Sequence, residues 1–148
     1  MTDGERREPV DEILIYSDGG ARGNPGPAAI GAVVLDASTD PPQRLATVSA
    51  TIGVATNNVA EYRALIEGLR AAAPYRARRL RVRADSLLVI NQLRGEWKIK
   101  HAGLRPLYEE ARELLQAYED VDLAHVPREL NTDADALVNA ALDAEAAR

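Results

Sequence analysis

The chain has no cysteine, one tryptophan, one methionine and no long apolar run. Without cysteine there is no disulfide framework and no thiolate metal site. The redox compartment therefore stays open. The missing apolar run and the polar stretch from Met1 to Glu12 argue against a membrane-spanning helix and a secretory signal. A cytoplasmic protein with no membrane partner is expected. Excess basic charge is also lacking. The net charge is -5, which does not advertise nucleic-acid binding. The basic residues are bunched, however: Arg76, Arg78, Arg79, Arg81 and Arg83 in one run, Lys98, Lys100 and His101 in another. Local patches matter more for phosphate contact than the sum does. There is no internal repeat, no low-complexity segment and no sign of a second domain. The 148 residues, 46% hydrophobic and 28% charged, fit one domain with a sizeable core. That domain is expected over residues 11–148, after a mobile lead-in over 1–10, and a monomer is expected.

Periodicity divides the chain into elements. Ile13 to Ser17 reads as a strand, followed by a Gly- and Pro-rich turn. Ala28 to Asp36 is nearly all apolar and reads as a strand buried on both faces. Gln43 to Ile52 alternates, as a half-exposed edge strand does. Tyr62, Leu65, Ile66 and Leu69 recur at helical spacing within Asn58 to Ala73. Leu80 to Ala84 is a short strand and Ser86 to Leu93 a short helix. Residues 94–101 connect it to a longer amphipathic helix marked by Leu104 to Tyr118. Val121 to Val126 is a fifth strand and Asn131 to Ala147 the last helix. Three sequential strands with short connections suggest an antiparallel meander. The later strands alternate with helices, which favours right-handed parallel crossovers. The product is an α/β fold, a mixed five-stranded sheet with helices on both faces.

Four acids stand at element ends: Asp18 after strand one, Glu61 in the first turn of the first long helix, Asp85 after strand four and Asp135 in the first turn of the last helix. Each has an ordinary structural role open to it. Asp18-Gly19 is a common hairpin turn. Asn58-x-x-Glu61 fits a capping box. Asp85 fits an N-cap. Asp133 and Asp135 suit the positive end of a helix, and Thr132-x-x-Asp135 also has capping-box spacing. Together they suggest more. Ligand sites in open sheets gather at the carboxyl ends of adjacent strands, and strands one and four can be neighbours. Clustered carboxylates repel unless a cation neutralises them. Hard divalent ions favour such oxygen ligands, and a pair of them can clamp a phosphodiester for in-line attack.

Asp18-Gly19-Gly20 with Gly23-Asn24-Pro25-Gly26, then Thr56-Asn57-Asn58 with Glu61, then Asp85-Ser86, then Asn131-x-x-Ala134-Asp135 resemble type I ribonuclease H. Order and spacing match from Ile13 to Leu142. The resemblance implies strand order 3-2-1-4-5 with strands 1–3 antiparallel. It implies cleavage of the RNA strand of RNA–DNA hybrids, leaving 5′-phosphate and 3′-hydroxyl ends. It implies two ions, Mg2+ with Mn2+ as the alternative. Asp18, Glu61 and Asp85 would hold the one that activates water. Asp18 and Asp135 would hold the other. Asn24, Asn57 and Asn58 match hybrid-contacting positions and Thr56 a phosphate-contacting one. Amides can meet a minor-groove base edge and a 2′-hydroxyl together. Duplex RNA is a further candidate partner. Helix capping is the ordinary alternative for Asn57 and Asn58.

The chain departs from the family pattern twice. A basic, Trp-rich insertion between the second and third helices is absent, so this resembles the short prokaryotic form. Trp97, Lys98 and Lys100 remain there, with Trp97 and Lys98 as substrate-contact candidates. A solvated loop with Trp97 packed on the core is the bland alternative. The loop after strand five is also short. Where longer loops place a catalytic His, Val126-Pro127-Arg128 resembles a subgroup with Arg, and Arg128 is the candidate. His125 continues the row of Val121 and Leu123 and is expected to pack. The rival readings are a DNA-acting nuclease of the same superfamily, a hybrid- or duplex-binding module without cleavage, and an interaction domain using Arg76 to Arg83.

Overall fold

The structure, a computed structural model, describes residues 10–148. Residues 1–9 of the expected lead-in lie outside the described residues. Val10 is anchored: its N–H donates to the Tyr75 carbonyl at 3.0 Å. Five strands form one sheet: β1 (Glu12–Ala21), β2 (Gly26–Asp36), β3 (Gln43–Ala55), β4 (Arg79–Ala84) and β5 (Asp120–His125), in the order β3-β2-β1-β4-β5. β1 pairs antiparallel with β2 and parallel with β4. The helices are α1 (Asn57–Ala72), α2 (Leu87–Leu93), α3 (Arg105–Leu115) and α4 (Thr132–Ala146). Among the described residues no helix is long and apolar enough to cross a membrane.

The apolar rows read from the sequence make the main core. Tyr62, Leu65, Ile66 and Leu69 of α1 are buried against Ile13 and Ile15 of β1, Val34 of β2, and Leu80 and Val82 of β4. Each fully buried side chain of this size stabilises the fold by roughly 1.5–3 kcal/mol. The opposite face is thin. There α4 contributes Val138 and Leu142 against Ala29. Polar ties supplement it: buried Asn131 donates from Nδ2 to the Ser17 carbonyl at 2.9 Å, and Ser49 Oγ donates to the Leu137 carbonyl at 2.7 Å.

Several expectations need correction. Asp18-Gly19-Gly20 is not a turn: β1 runs through it to Ala21, with Asp18 opposite Gly31 and Ala21 opposite Ala28. The turn follows at residues 22–25, because β2 supplies ladder partners for the whole glycine stretch. The third helix ends at Leu115, and residues 116–118 close tighter bonds, such as Ala117 N–H to the Leu114 carbonyl. His125 is exposed rather than packed. β5 is the sheet edge, and only Leu123 of its inward row reaches the core, while Val121 is itself exposed.

The Arg76 to Arg83 run is mostly occupied. Arg78 pairs with Asp11 and Glu119, Arg79 with Asp120, Arg81 with Glu12 and Arg83 with Asp122. Neighbouring strands thus supply the countercharges, which removes the basis for a free basic contact surface there.

Two glycines let the helices reach the sheet beside Asp18. A Cβ on Gly19 would lie 2.2 Å from the Ala60 carbonyl oxygen, and one on Gly31 would lie 2.4 Å from that of Ala134. Both neighbours are helix backbone, so neither can yield without moving a helix. Gly31→Ala is therefore expected to lower the unfolding free energy by about 1–3 kcal/mol in denaturant titration. Gly103→Ala, where a Cβ meets nothing within 4 Å, serves as the near-neutral control. Equal stabilities would contradict the close approach.

Candidate active site

The parallel ladder between β1 and β4 ends at Ser17 opposite Ala84. Asp18 is the next residue of β1, and Asp85 is the first residue past the end of β4. β1 continues because β2 still pairs it on the other side, so the sheet has a notch beside Asp18. Alternation along the strand sends Asp18 and its partner Gly31 toward the face covered by α4, and Gly19 toward α1. Helices from both faces therefore meet at this notch, α1 bringing Glu61 and α4 bringing Asp135.

One carboxylate oxygen each from Asp18, Glu61 and Asp85 lies within 4.8 Å of the others. Asp135 lines the same cleft, of about 370 Å³, together with Arg128 and Asn139. The capping roles open to Glu61 and Asp85 are filled by other residues, while Asp135 keeps its place in the first turn of α4. Thr56, not Asn58, caps α1, accepting from Val59 N–H at 3.2 Å. Glu61 instead accepts the Gly19 N–H at 3.0 Å. Ser86, not Asp85, caps α2. No side chain caps α4, whose N-cap is Asn131. Asp85 Oδ1 is buried without a hydrogen-bond partner.

Electrostatics agree with the geometry. Burial first, then the charges of Asp85 and Asp135, pushes the Asp18 carboxyl from 3.8 up to about 8. Burial, followed by the charges of Asp18 and Asp85, also raises Glu61 well above its ordinary value, against the lowering effect of the Gly19 N–H. Convergent oxygens, a partnerless buried carboxylate oxygen and mutual repulsion are the features that suit a divalent cation.

The other candidates form a track leading away from the acids. Asn57 lines the acidic cleft; Asn24, Thr56 and Asn58 line the next; Asn58, Trp97 and Lys98 line a third. Asn57 Oδ1 accepts the Ala21 N–H at 2.8 Å, and Asn24 Oδ1 accepts the Asn57 N–H at 3.0 Å. These bonds clamp the start of α1 to the end of β1. They use the amide oxygens and leave the NH2 groups, two donors each, for a ligand. Trp97 is 46% exposed rather than packed in the core. Arg128, strongly exposed, lies 3.7 Å from Asp135 Oδ1.

Sequence reading missed two neighbours. Asn139, one turn beyond Asp135, donates to its Oδ2 at 3.3 Å, and that i, i+4 spacing was available as a signal. His101 was noted only as part of a basic run, yet it lines both outer clefts. Only the folded chain could show that.

A family model described as reverse transcriptase-like matches residues 16–141. A solved ribonuclease H1 from Halobacterium salinarum is 46% identical, with TM-score 0.82, over 89% of this chain and 98% of that one. The chain belongs to the type 1 ribonuclease H family. A second family member, LC11-RNase H1, solved in complex with an RNA/DNA hybrid, is 40% identical, with TM-score 0.82, over 90% of this chain and 98% of that one. A bifunctional protein of Mycobacterium tuberculosis is 48% identical over 91% of this chain. The chain spans 36% of that protein's length.

An acid with a raised folded value destabilises the fold once the unfolded chain has released its proton. For Asp18, that loss runs from the unfolded value near 4 up to about 8, at no more than about 1.4 kcal/mol per pH unit. In EDTA, chemical denaturation should therefore show stability falling from pH 5 to pH 8. Mg2+ should recover it at pH 8. A flat profile in EDTA would show that the acids do not repel as placed.

Proposed function

We propose that the chain is an endonuclease that hydrolyses the RNA strand of RNA–DNA hybrids. One observation carries this reading. Asp18, Glu61 and Asp85 converge, none of them serving as a helix cap, at the head of a track lined by amide donors. A binding module for phosphates gains nothing from clustered negative charge, whereas a metal-assisted phosphodiesterase requires it.

Asp18, Glu61 and Asp85 would hold one divalent cation, and Asp18 with Asp135 a second. Mg2+ is the first candidate and Mn2+ the alternative. When bound, the ions supply Lewis-acid activation of water and neutralise charge at the leaving 3′-oxygen. The Gly19 N–H orients Glu61. Asn139 and Arg128 approach different oxygens of Asp135 and so set its direction. Arg128, permanently charged, is placed to meet the scissile phosphate or the departing product. Thr56 would meet a phosphate, while the NH2 groups of Asn24, Asn57 and Asn58 would meet base edges and 2′-hydroxyls. Trp97 and Lys98 would grip the duplex further along. The products would be a 5′-phosphate and a 3′-hydroxyl, and the enzyme would act as a monomer.

Labelled hybrid, duplex RNA and duplex DNA, each incubated with Mg2+, Mn2+ or EDTA, test the reading. Cleavage of the hybrid's RNA strand that EDTA abolishes is expected. Equal cutting of all-DNA duplex would assign the chain to DNA instead, and binding without cleavage would remove the enzyme. Asp18→Asn and Asp85→Asn should each slow cleavage by at least about a thousandfold, about 4 kcal/mol of barrier. Glu61→Gln keeps an acceptor for the Gly19 N–H, so stability should stay within about 1 kcal/mol while activity goes. Measurable activity near the parent rate in any of the three would exclude that acid from the site.

Arg128→Ala should lower turnover by about 10- to 100-fold, about 1.4–2.7 kcal/mol, without altering the melting temperature. His125→Ala, at an exposed edge position, should leave both stability and rate near those of the parent. An inactive but folded His125→Ala would move the role from Arg128 to His125.

A further inference from the structure

The connector 94–101 carries Trp97 and Lys98 yet has little regular structure of its own. Its placement comes from a buried polar relay. Tyr62, next in sequence to Glu61, is fully buried, and its hydroxyl donates to Gln92 Oε1. Gln92, 3% exposed at the end of α2, donates from Nε2 to the Lys98 carbonyl at 3.3 Å. The neighbouring Asn91 carbonyl accepts the N–H groups of Glu96 and Trp97 at 2.9 and 3.1 Å. A buried amide is costly to leave unpaired, so Gln92 can keep this position only while the connector stays in place. The relay thus runs from the helix that bears Glu61, through the core, to the backbone beside Trp97. It ends at a cleft of about 500 Å³ lined by Asn58, Leu88, Gln92, Trp97, Lys98 and Leu104.

We propose that Gln92 is a positioning residue that locks the Trp97–Lys98 segment to the Glu61 helix, so that the outer grip on the duplex stays in register with the acids. The proposal rests on the nuclease reading for its effect on substrate. Its structural half stands apart from that reading. Gln92 borders that cleft but is 3% exposed, with both ends of its amide already bonded. It acts through the Lys98 backbone, and its loss falls on duplex affinity rather than on the chemical step.

Trp97 is the only tryptophan, so its fluorescence reports on this segment alone. The test replaces Gln92 by methionine, which keeps the length and removes both bonds. Tyr62→Phe removes only the first bond and guards against a fold failure. Gln92→Met is expected to raise acrylamide quenching of Trp97 and to weaken hybrid binding in EDTA about tenfold. Steady-state cleavage should show a KM increase of similar size that exceeds any fall in kcat. Tyr62→Phe should shift the same readouts in the same direction by a smaller amount. Trp97 quenching at the parent value in both folded variants would overturn the proposal, as would a loss confined to kcat. Should the parent protein neither bind nor cleave hybrid with Mg2+ present, the nuclease reading falls, while the quenching comparison still decides whether Gln92 holds the connector.

Discussion

Three carboxylates that offer oxygens within 4.8 Å of one another can share that space only with a proton or a cation among them. This repulsion is the constraint around which the notch is built. Added to burial, the larger cause, it raises the Asp18 carboxyl to about 8. It also explains why the remaining contacts near the acids are donors. The Gly19 N–H faces Glu61, and the Asn139 amide and the Arg128 guanidinium face Asp135. None of these partners removes the net negative charge. They orient the carboxylates and leave charge that a divalent ion would neutralise, so binding such an ion would add to the stability of the fold.

Bringing acids so close requires backbone to approach backbone from both faces of the sheet. Gly19 admits α1 and Gly31 admits α4, each at a distance that a Cβ would forbid. The two helices are held very differently. α1 lies in the main core with fully buried Tyr62 and Leu65. α4 has a small apolar patch and leans on Asn131, Ser49 and the Arg22–Asp143 pair. Polar ties of this kind contribute about 1 kcal/mol each, less than a buried leucine. Asp135 therefore rides on the more weakly held side, while Asp18, Glu61 and Asp85 rest on the rigid one.

The five strands and the four helices were legible in the sequence because each rests on local pattern. Alternation marked β3, and 3.6-residue spacing marked α1. The joint spacing of Asp18, Glu61, Asp85 and Asp135 pointed to a shared site that no single motif could support. What stayed hidden depended on partners distant in sequence. The glycines after Asp18 look like a turn until β2 is placed beside them. Glu61 looks like a capping residue until Gly19 offers an N–H. His125 looks like a packed residue because it continues the row of Val121 and Leu123, yet only Leu123 of that row finds a core to pack on. In each case a local rule gave way to a tertiary contact.

On the proposed reading a chain of net charge -5 holds a polyanion, and the distribution of its charge bears on how. Most of the bunched arginines are spent in ion pairs across β1, β4 and β5, which also blunts the open edge of the sheet. Beside the track, Lys98 and Lys100 are the lysines that line the outer cleft. With Arg22 and Arg128 beside the acids, a hybrid bound along this track would meet a small set of cations and release correspondingly few counterions. The rest of the affinity would come from neutral donors held in fixed positions and from Trp97. Such contacts weaken steeply when displaced by a fraction of an ångström. A surface poor in charge therefore depends on rigid placement, and here the Asn24–Asn57 clamp and the Tyr62–Gln92 relay secure it on either side of Asn58.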